Sequence, residues 1–410
     1  MVKLRRAAFV LVFALSSVLA TRARAQSSTE EPRTIDTVRG TIRGSTRFIG
    51  LGGAFVAIAD DTEGVAINPA SAAVRLPYSW DAFSFSFGID IGIATWLPKN
   101  DIYNAPQGTG GSLFGSFAVL ANYRHAGFGL AAEAEQNAAT GKAQQGLSTK
   151  LTANFGLMHP ALAYGYFDGQ LQLGAGLRML GFSFGGGKGG ALTAGIGYTA
   201  GFIVKPKAQQ FRVGVAIEQP INAEVAGVDG AAPTMVHVPW TAAFGFAYQF
   251  GRRPLNPRFE TAKDRARARA GGHEPSKGEL EKAEKELFDE FQKEQTWYLL
   301  LSTELALIEG SSGVALGGSP GLNRTLISPR MGLETEIIPR YLRLRAGSYL
   351  ELATTEDGHS RLHGTGGVDI KLFEWSVFGL VKPFDYWQLS LAADGARSYL
   401  NTSFSIGFWH

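Results

Sequence analysis

Phe83 to Ala94 reads FSFSFGIDIGIA. Its odd positions, Phe83, Phe85, Phe87, Ile89, Ile91 and Ile93, are large and apolar, whereas Ser84, Ser86, Gly88, Asp90, Gly92 and Ala94 are small or polar. Such alternation puts each set on its own face of a strand. About 9 to 11 tilted residues cross an outer membrane, with apolar side chains on lipid and small or polar ones in the lumen. One strand of this kind also suits the edge of a soluble sandwich. Recurrence separates the two: Leu171 to Met179, Trp240 to Phe250 and Leu400 to Phe408 repeat the pattern, with Gly, Ser, Ala and Gln on the second face. Lipid offers no partner to a free backbone edge, so spanning strands must close into a barrel.

Composition agrees with this. The 410 residues include 52 glycines and 11% aromatics but only 18% charged residues, and there is no cysteine, which excludes disulfides and thiolate metal sites. A net charge of +3 argues for no nucleic-acid partner. Residues 1–25 read as a cleaved signal peptide: Lys3, Arg5 and Arg6 precede an apolar run from Ala7 to Ala20, and Ala23-Arg24-Ala25 is a small-x-small cleavage site. That run is shorter than the roughly 20 residues of a spanning helix. The polar stretch from Gln26 to about Arg47 reads as a flexible mature terminus.

Turn signals set the topology. Asp168-Gly169 reads as a two-residue hairpin, and Tyr123–Gly127, Lys205–Gln210, Pro339-Arg340 and Phe373–Trp375 are further short turns. Longer connections alternate with them, including Asn222–Val236, Gly310–Thr325 and Asp394–Arg397. Short turns face the periplasm and long loops face outside. Fourteen strands follow, beginning near residues 81, 113, 127, 148, 170, 191, 211, 237, 296, 326, 341, 361, 375 and 398. The fourth must carry Pro160 at a bulge or an edge-like site, and the thirteenth is interrupted by Pro383. The fold class expected is therefore all-β, a transmembrane antiparallel barrel over residues 81–410.

Residues 251–295 hold 21 charged side chains in 45 positions and cannot lie in lipid. Ser276-x-x-Glu279 is a capping box, and Leu280, Ala283, Leu287, Phe288 and Phe291 recur at helical spacing. A short amphipathic helix in a periplasmic insertion is expected. A solvated surface helix and a docking site for a periplasmic partner are the two readings of it.

Ahead of the barrel lies Ile49 to Ala70, IGLGGAFVAIADDTEGVAINPA. Alone it reads as a tight loop. With a barrel behind it, Gly50-Leu51-Gly52, Ala57-Ile58-Ala59-Asp60-Asp61 and Asn68-Pro69-Ala70 resemble the N-terminal hatch of the FadL family of outer-membrane hydrophobic-compound transporters. Pro160-Ala161-Leu162-Ala163-Tyr164 and Leu344-Arg345-Ala346-Gly347 are similar to later parts of that family. The resemblance implies a 14-strand barrel, residues 26–80 as a plug, Asn68-Pro69-Ala70 packed near a gap in the wall, an apolar extracellular-side pocket, and cargo leaving sideways into the membrane. The short spacing between the first two motifs is similar to PorV-like barrels, which serve protein secretion or surface attachment. Phe408-Trp409-His410 resembles the terminal signal read by barrel assembly machinery.

Strand parity places luminal charges. Across a Pro339-Arg340 turn, Glu336 faces Arg343 and Glu334 faces Arg345, both pairs pointing inward. Internal bracing, at about 0.2 to 1 kcal/mol per cross-strand pair, and anchoring of the plug or of a cargo headgroup are the alternatives. No catalytic residue, cofactor site or metal site is expected. Gly185-Gly186-Gly187-Lys188 lacks the following Ser or Thr of a phosphate loop, and His159, His237, His359 and His363 lack ligand spacing. The expected function is passive transport of hydrophobic small molecules, long-chain fatty acids by family analogy, with outer-membrane lipid as its surroundings. A PorV-like secretion barrel is the alternative, and a general porin the third.

Overall fold

A computed structural model describes residues 34–37, 40–75, 81–94, 100–102, 104, 109–140, 150–186, 189–225, 235–257, 259–311, 313–315, 319–374 and 386–409. The expected signal peptide and His410 lie outside them. Eighteen strands occur among these residues: β1 (Thr34–Asp36), β2 (Phe83–Ile93), β3 (Thr109–Tyr123), β4 (Ala126–Thr140), β5 (Lys150–Tyr166), β6 (Leu171–Gly186), β7 (Gly189–Val204), β8 (Phe211–Glu218), β9 (Ile221–Glu224), β10 (Met235–Val238), β11 (Thr241–Gly251), β12 (Tyr298–Ile308), β13 (Val314–Ala315), β14 (Leu326–Ile338), β15 (Leu342–Glu351), β16 (Arg361–Glu374), β17 (Tyr386–Ala396) and β18 (Tyr399–Trp409). Fourteen of them close a barrel, β18 pairing with β2 and β8 with β11, every neighbour antiparallel.

Alternation sorts the two faces as lipid requires. Phe85, Ile89, Ile91, Phe244, Phe246, Leu305 and Phe404 stand exposed outside, while Ser86, Asp90, Gln249, Glu304 and Ser405 are buried inside. Tyr123, Tyr164, Tyr166, Tyr248, Phe250 and Tyr341 are exposed outside near the turn ends of their strands. That is the aromatic girdle of a membrane interface. No helix among the described residues is long and apolar enough to cross a membrane.

Several local expectations change. His237 does not open a barrel strand. It belongs to β10, and the wall resumes at Thr241. The thirteenth barrel strand is described over Tyr386–Ala396, and β16 runs through Glu374; its expected start at Trp375 and the interruption at Pro383 lie outside the described residues. Pro160 makes no bulge: the β5–β6 register is the same on both sides, and the ladder merely lapses at His159 and Pro160. This is what a residue without a donor does inside an intact strand. The turn after β14 is longer than two residues, with Ile338 opposite Leu342 after a bulge and Arg340 at φ 72°. Four residues join β5 to β6, Phe167, Asp168 and Gly169 all at positive φ. β17 and β18 are joined by Arg397-Ser398 alone, so this is a tight hairpin and not a long loop.

Three stretches read as loops or a flexible terminus are ordered inside the lumen. β9, β10 and β13 come from the long connections, and β1 from the polar terminus; together they make a small inner sheet in the order β13-β1-β10-β9, with β1 parallel to both neighbours. The insertion after β11 carries two helices, Ala262–Arg269 and Lys277–Glu294, where one was expected. Ala262, Ala266 and Ala283 bury against Leu280 and Leu287 between them. The capping box is present in full, Ser276 Oγ accepting from Glu279 N and Glu279 accepting from Ser276 N. The first helix was missed because AKDRARAR has alanines but no large apolar stripe.

Candidate functional site

Gly40 to Arg75 runs inside the barrel, and its turns are set locally. Ser45 caps the helix Thr46–Gly50 by accepting from Phe48 N at 3.2 Å. Asp90 of β2 accepts from Thr46 N at 2.7 Å at the same helix end. Asn68 caps the 3-10 turn Pro69–Ala73 through Ala70 N at 3.1 Å, with proline at the first helical position. Leu51, Ala57, Ile58, Ala59, Pro69 and Ala70 are fully buried or nearly so.

Glycines on the luminal face of the wall make room for this segment. Gly332 and Gly347 face Leu51 and Gly52, Gly214 and Gly245 face Val56 and Ala57, Gly174 faces Pro69 and Ala70, and Gly127 faces Ala72. A Cβ at most of these would strike segment backbone. Gly50 in turn lies against Arg345 and Gly367, and its carbonyl accepts from Thr365 Oγ1 at 3.2 Å. The alternating wall glycines visible in the sequence are thus the segment's seat.

A continuous charge net fixes the lower half. Arg47 bonds Asp60 at 2.6 Å and Glu334 at 2.9 Å. Glu334 also holds Arg345 at 2.6 Å and accepts from Tyr298 OH at 3.0 Å. Arg345 reaches Asp369 at 2.5 Å, and Arg343 pairs with Glu336 at 3.1 Å. Arg212 closes the net from β8, bonding Asp60 at 3.0 Å and the Ile58 carbonyl at 2.9 Å. Glu304 on β12 accepts from Phe55 N and Val56 N and pairs with Arg330. Glu334, Glu336, Arg343 and Arg345 are all buried, and the first and last of these meet directly across the β14–β15 ladder. Asp61 sits at φ 57° at the head of the 3-10 turn Thr62–Gly64.

Asn68 does more than cap. Its Nδ2 donates to Val56 O at 3.1 Å and to the carbonyls of Phe202 and Val215 at 3.3 Å each. Phe202 and Val215 face each other across the β7–β8 seam. Above that seam the wall steps down. β3 to β7 have 15 to 17 residues each, but β8 has 8, and pairing with β7 ends at Thr199 opposite Glu218. There the chain turns inward at Gln219-Pro220, and β9 packs beneath Gly195 and Gly197 of β7. Arg178 of β6 ties this corner, donating to Gln219 O at 3.0 Å and pairing with Glu218 at 3.4 Å.

The loop-side half has two chemistries. On the tall wall the luminal residues Ala153, Phe155, Leu157, Leu180 and Phe182 form an apolar face, covered by Ile35, Ile221, Ala223, Val236 and Val238 of the inner sheet. Opposite, His363 lies between Asp394 at 2.8 Å and Glu351 at 2.7 Å, stacked on Tyr349 at 4.2 Å, whose hydroxyl donates to Asp394. Parity alone assigned His363 no partner. Arg47, Arg212, Asp369 and Glu304 were missed too, although Asp369 lies directly opposite Arg343 on the next strand and the same parity count reaches it.

The closed 14-strand wall, apolar outside and polar within, defines an outer-membrane type of β-barrel with an N-terminal segment in its lumen. Among solved structures, the chain is similar to the CymD monoaromatic hydrocarbon channel, with a TM-score of 0.52 at 13% identity over 89% of this chain and 96% of that one. The Pseudomonas putida toluene transporter TodX aligns with a TM-score of 0.49 at 11% identity over 89% and 98%. At such identity the CymD likeness is one of fold. No family model and no curated protein matches the sequence.

Proposed function

We propose that this chain is a passive outer-membrane transporter of hydrophobic small molecules, long-chain fatty acids among them, with residues 26–80 as its plug. The apolar face of Phe155, Leu157, Leu180 and Phe182, set above a charge-netted plug, carries the reading. Cargo would enter from the loop side, displace β9 and β10 from this face, and leave sideways at the step between β7 and β8, beside Asn68. The fold likeness to a monoaromatic hydrocarbon channel supports an apolar cargo class. The FadL-like motifs Gly50-Leu51-Gly52, Ala57 to Asp61 and Asn68-Pro69-Ala70 support the fatty acids.

One observation favours the PorV-like alternative: the apolar face is already covered by the chain's own inner sheet. Titrating detergent-purified protein with labelled long-chain fatty acid and labelled toluene separates the two. Saturable binding of either supports transport. No saturable binding, with a secretion component co-purifying, supports the alternative.

A further inference from the structure

The wall is not closed beneath β11 by a turn. From Gly251, at φ 120°, the chain bends under the periplasmic mouth. Arg253 pairs with Glu336 at 2.8 Å and lies 4.8 Å from the Tyr298 ring. Leu255 is buried in the same apolar cluster as Phe55 and Ile58 of the plug. Asn256 follows, also buried, and both polar atoms of its side chain are used. Its Nδ2 donates to three carbonyls around the β7–β8 turn at 2.8 to 3.1 Å, and its Oδ1 accepts from Arg212, the residue that holds Asp60 of the plug.

The chain then reaches a distant part of the rim. Phe259 packs edge-on to His125 in the β3–β4 turn, ring centroids 5.7 Å apart, and beneath the Arg75 guanidinium at the end of the plug, 4.5 Å away. The two helices return from there, and Gln292 O accepts from Arg340 in the β14–β15 turn at 2.5 Å. Insertion residues 254, 255 and 257 line a cavity of about 110 Å³, which Asp60, Thr62 and Glu63 line from the plug side.

We propose that the insertion is a periplasmic seal: residues 253–257 and Phe259 form a second, mid-chain part of the plug, and the helical pair braces them across the mouth. The Arg212 guanidinium, shared between Asp60 and Asn256, is the joint between the two parts. The apolar contacts of Leu255 and the satisfied amide of Asn256 describe a packed element, not a tether lying on a surface. The seal closes the axial route whatever the cargo is.

The test replaces residues 252–297 by an Asn-Gly turn in the full-length protein, with heat-modifiable gel mobility as the check that the barrel has closed. The absence of native cysteine allows a second readout, Glu63→Cys, whose thiol would face that cavity. Conductance in planar bilayers should rise in the deletion, since the periplasmic mouth then keeps only the N-terminal part of the plug. The thiol introduced by Glu63→Cys should react with a bulky membrane-impermeant maleimide only when the insertion is gone. Asn256→Ala, which leaves the helices in place, should give an intermediate reaction rate. Equal conductance and equal labelling with and without the insertion would overturn the seal. Neither readout involves cargo, so failure here leaves the transport reading to its own binding assay.

Discussion

The periplasmic half of the lumen and the tall-wall side of the extracellular half hold their contents by different means. Below, the segment Gly40 to Arg75 sits on glycines, and an ion net runs from Arg212 through Asp60, Arg47, Glu334 and Arg345 to Asp369. Above, β9 and β10 lie on Phe155, Leu157, Leu180 and Phe182 through apolar contact. Buried ion pairs are directional and costly to break singly, whereas apolar contact is non-directional and can be replaced by another apolar body. On the proposed function, the first chemistry suits a barrier that stays in place and the second a surface that exchanges its occupant.

Glu334→Gln tests the lower half most severely. It weakens bonds to Arg47, Arg345 and Tyr298 together. Stripping one partner from a buried pair costs about 3 to 5 kcal/mol. Urea unfolding in detergent should shift by that amount, and bilayer conductance should rise as the plug loosens. Unchanged conductance would reduce the net to bracing of the wall. Phe182→Ala addresses the upper half, with an expected loss of about 3 kcal/mol at most, because the side chain is fully buried but the neighbouring inner sheet can settle into the space. Here conductance should stay at the wild-type level while affinity for apolar ligand falls; the opposite pattern would reverse the assignment of the two halves.

A smaller effect is expected at the seam. Asn68→Ala removes a cap and leaves the Phe202 and Val215 carbonyls without this donor, worth about 1 to 3 kcal/mol. If the β7–β8 step is the exit, transfer of bound ligand into vesicle lipid should change more than binding itself. Equal changes in both would remove the exit from this seam.

The smallest effect concerns the helical pair of the seal. A hydrogen bond from Arg265 holds the Glu290 carboxyl below its usual range, and bonds from Ser276 do the same for Glu279. Carboxylates with folded values below their unfolded ones contribute stability above the unfolded value, about pH 4.3. That contribution is lost as pH falls through the folded values. Protection of the amides across Lys277–Glu294, taken relative to their intrinsic exchange rate at each pH, should therefore fall below about pH 4 before that of the barrel strands. Protection that stays constant down to about pH 3 would deny these carboxylates a role.

The wall was legible in the sequence because a lipid-facing strand must alternate, and Phe83 to Ile93 can alternate in only one way. The Glu334–Arg345 and Glu336–Arg343 meetings followed from parity across a two-residue turn; the turn is one residue longer, and the register shift between Glu336 and Ile338 absorbs the difference. The inner sheet was not legible. β1, β9, β10 and β13 have 2 to 4 residues each, too few to show a period, and the β1 strand that joins them pairs with partners far away in sequence. The same distance hid Arg47 and Arg212, whose roles come from what the plug brings beside them.

Saturable binding to the purified, sealed protein tests the central claim most directly. Labelled fatty acid or toluene should bind saturably, and Leu157→Asn on the apolar face should weaken that binding at least severalfold while Glu334→Gln leaves it near the wild-type value. Absence of saturable binding, or loss through Glu334→Gln and not through Leu157→Asn, would contradict it.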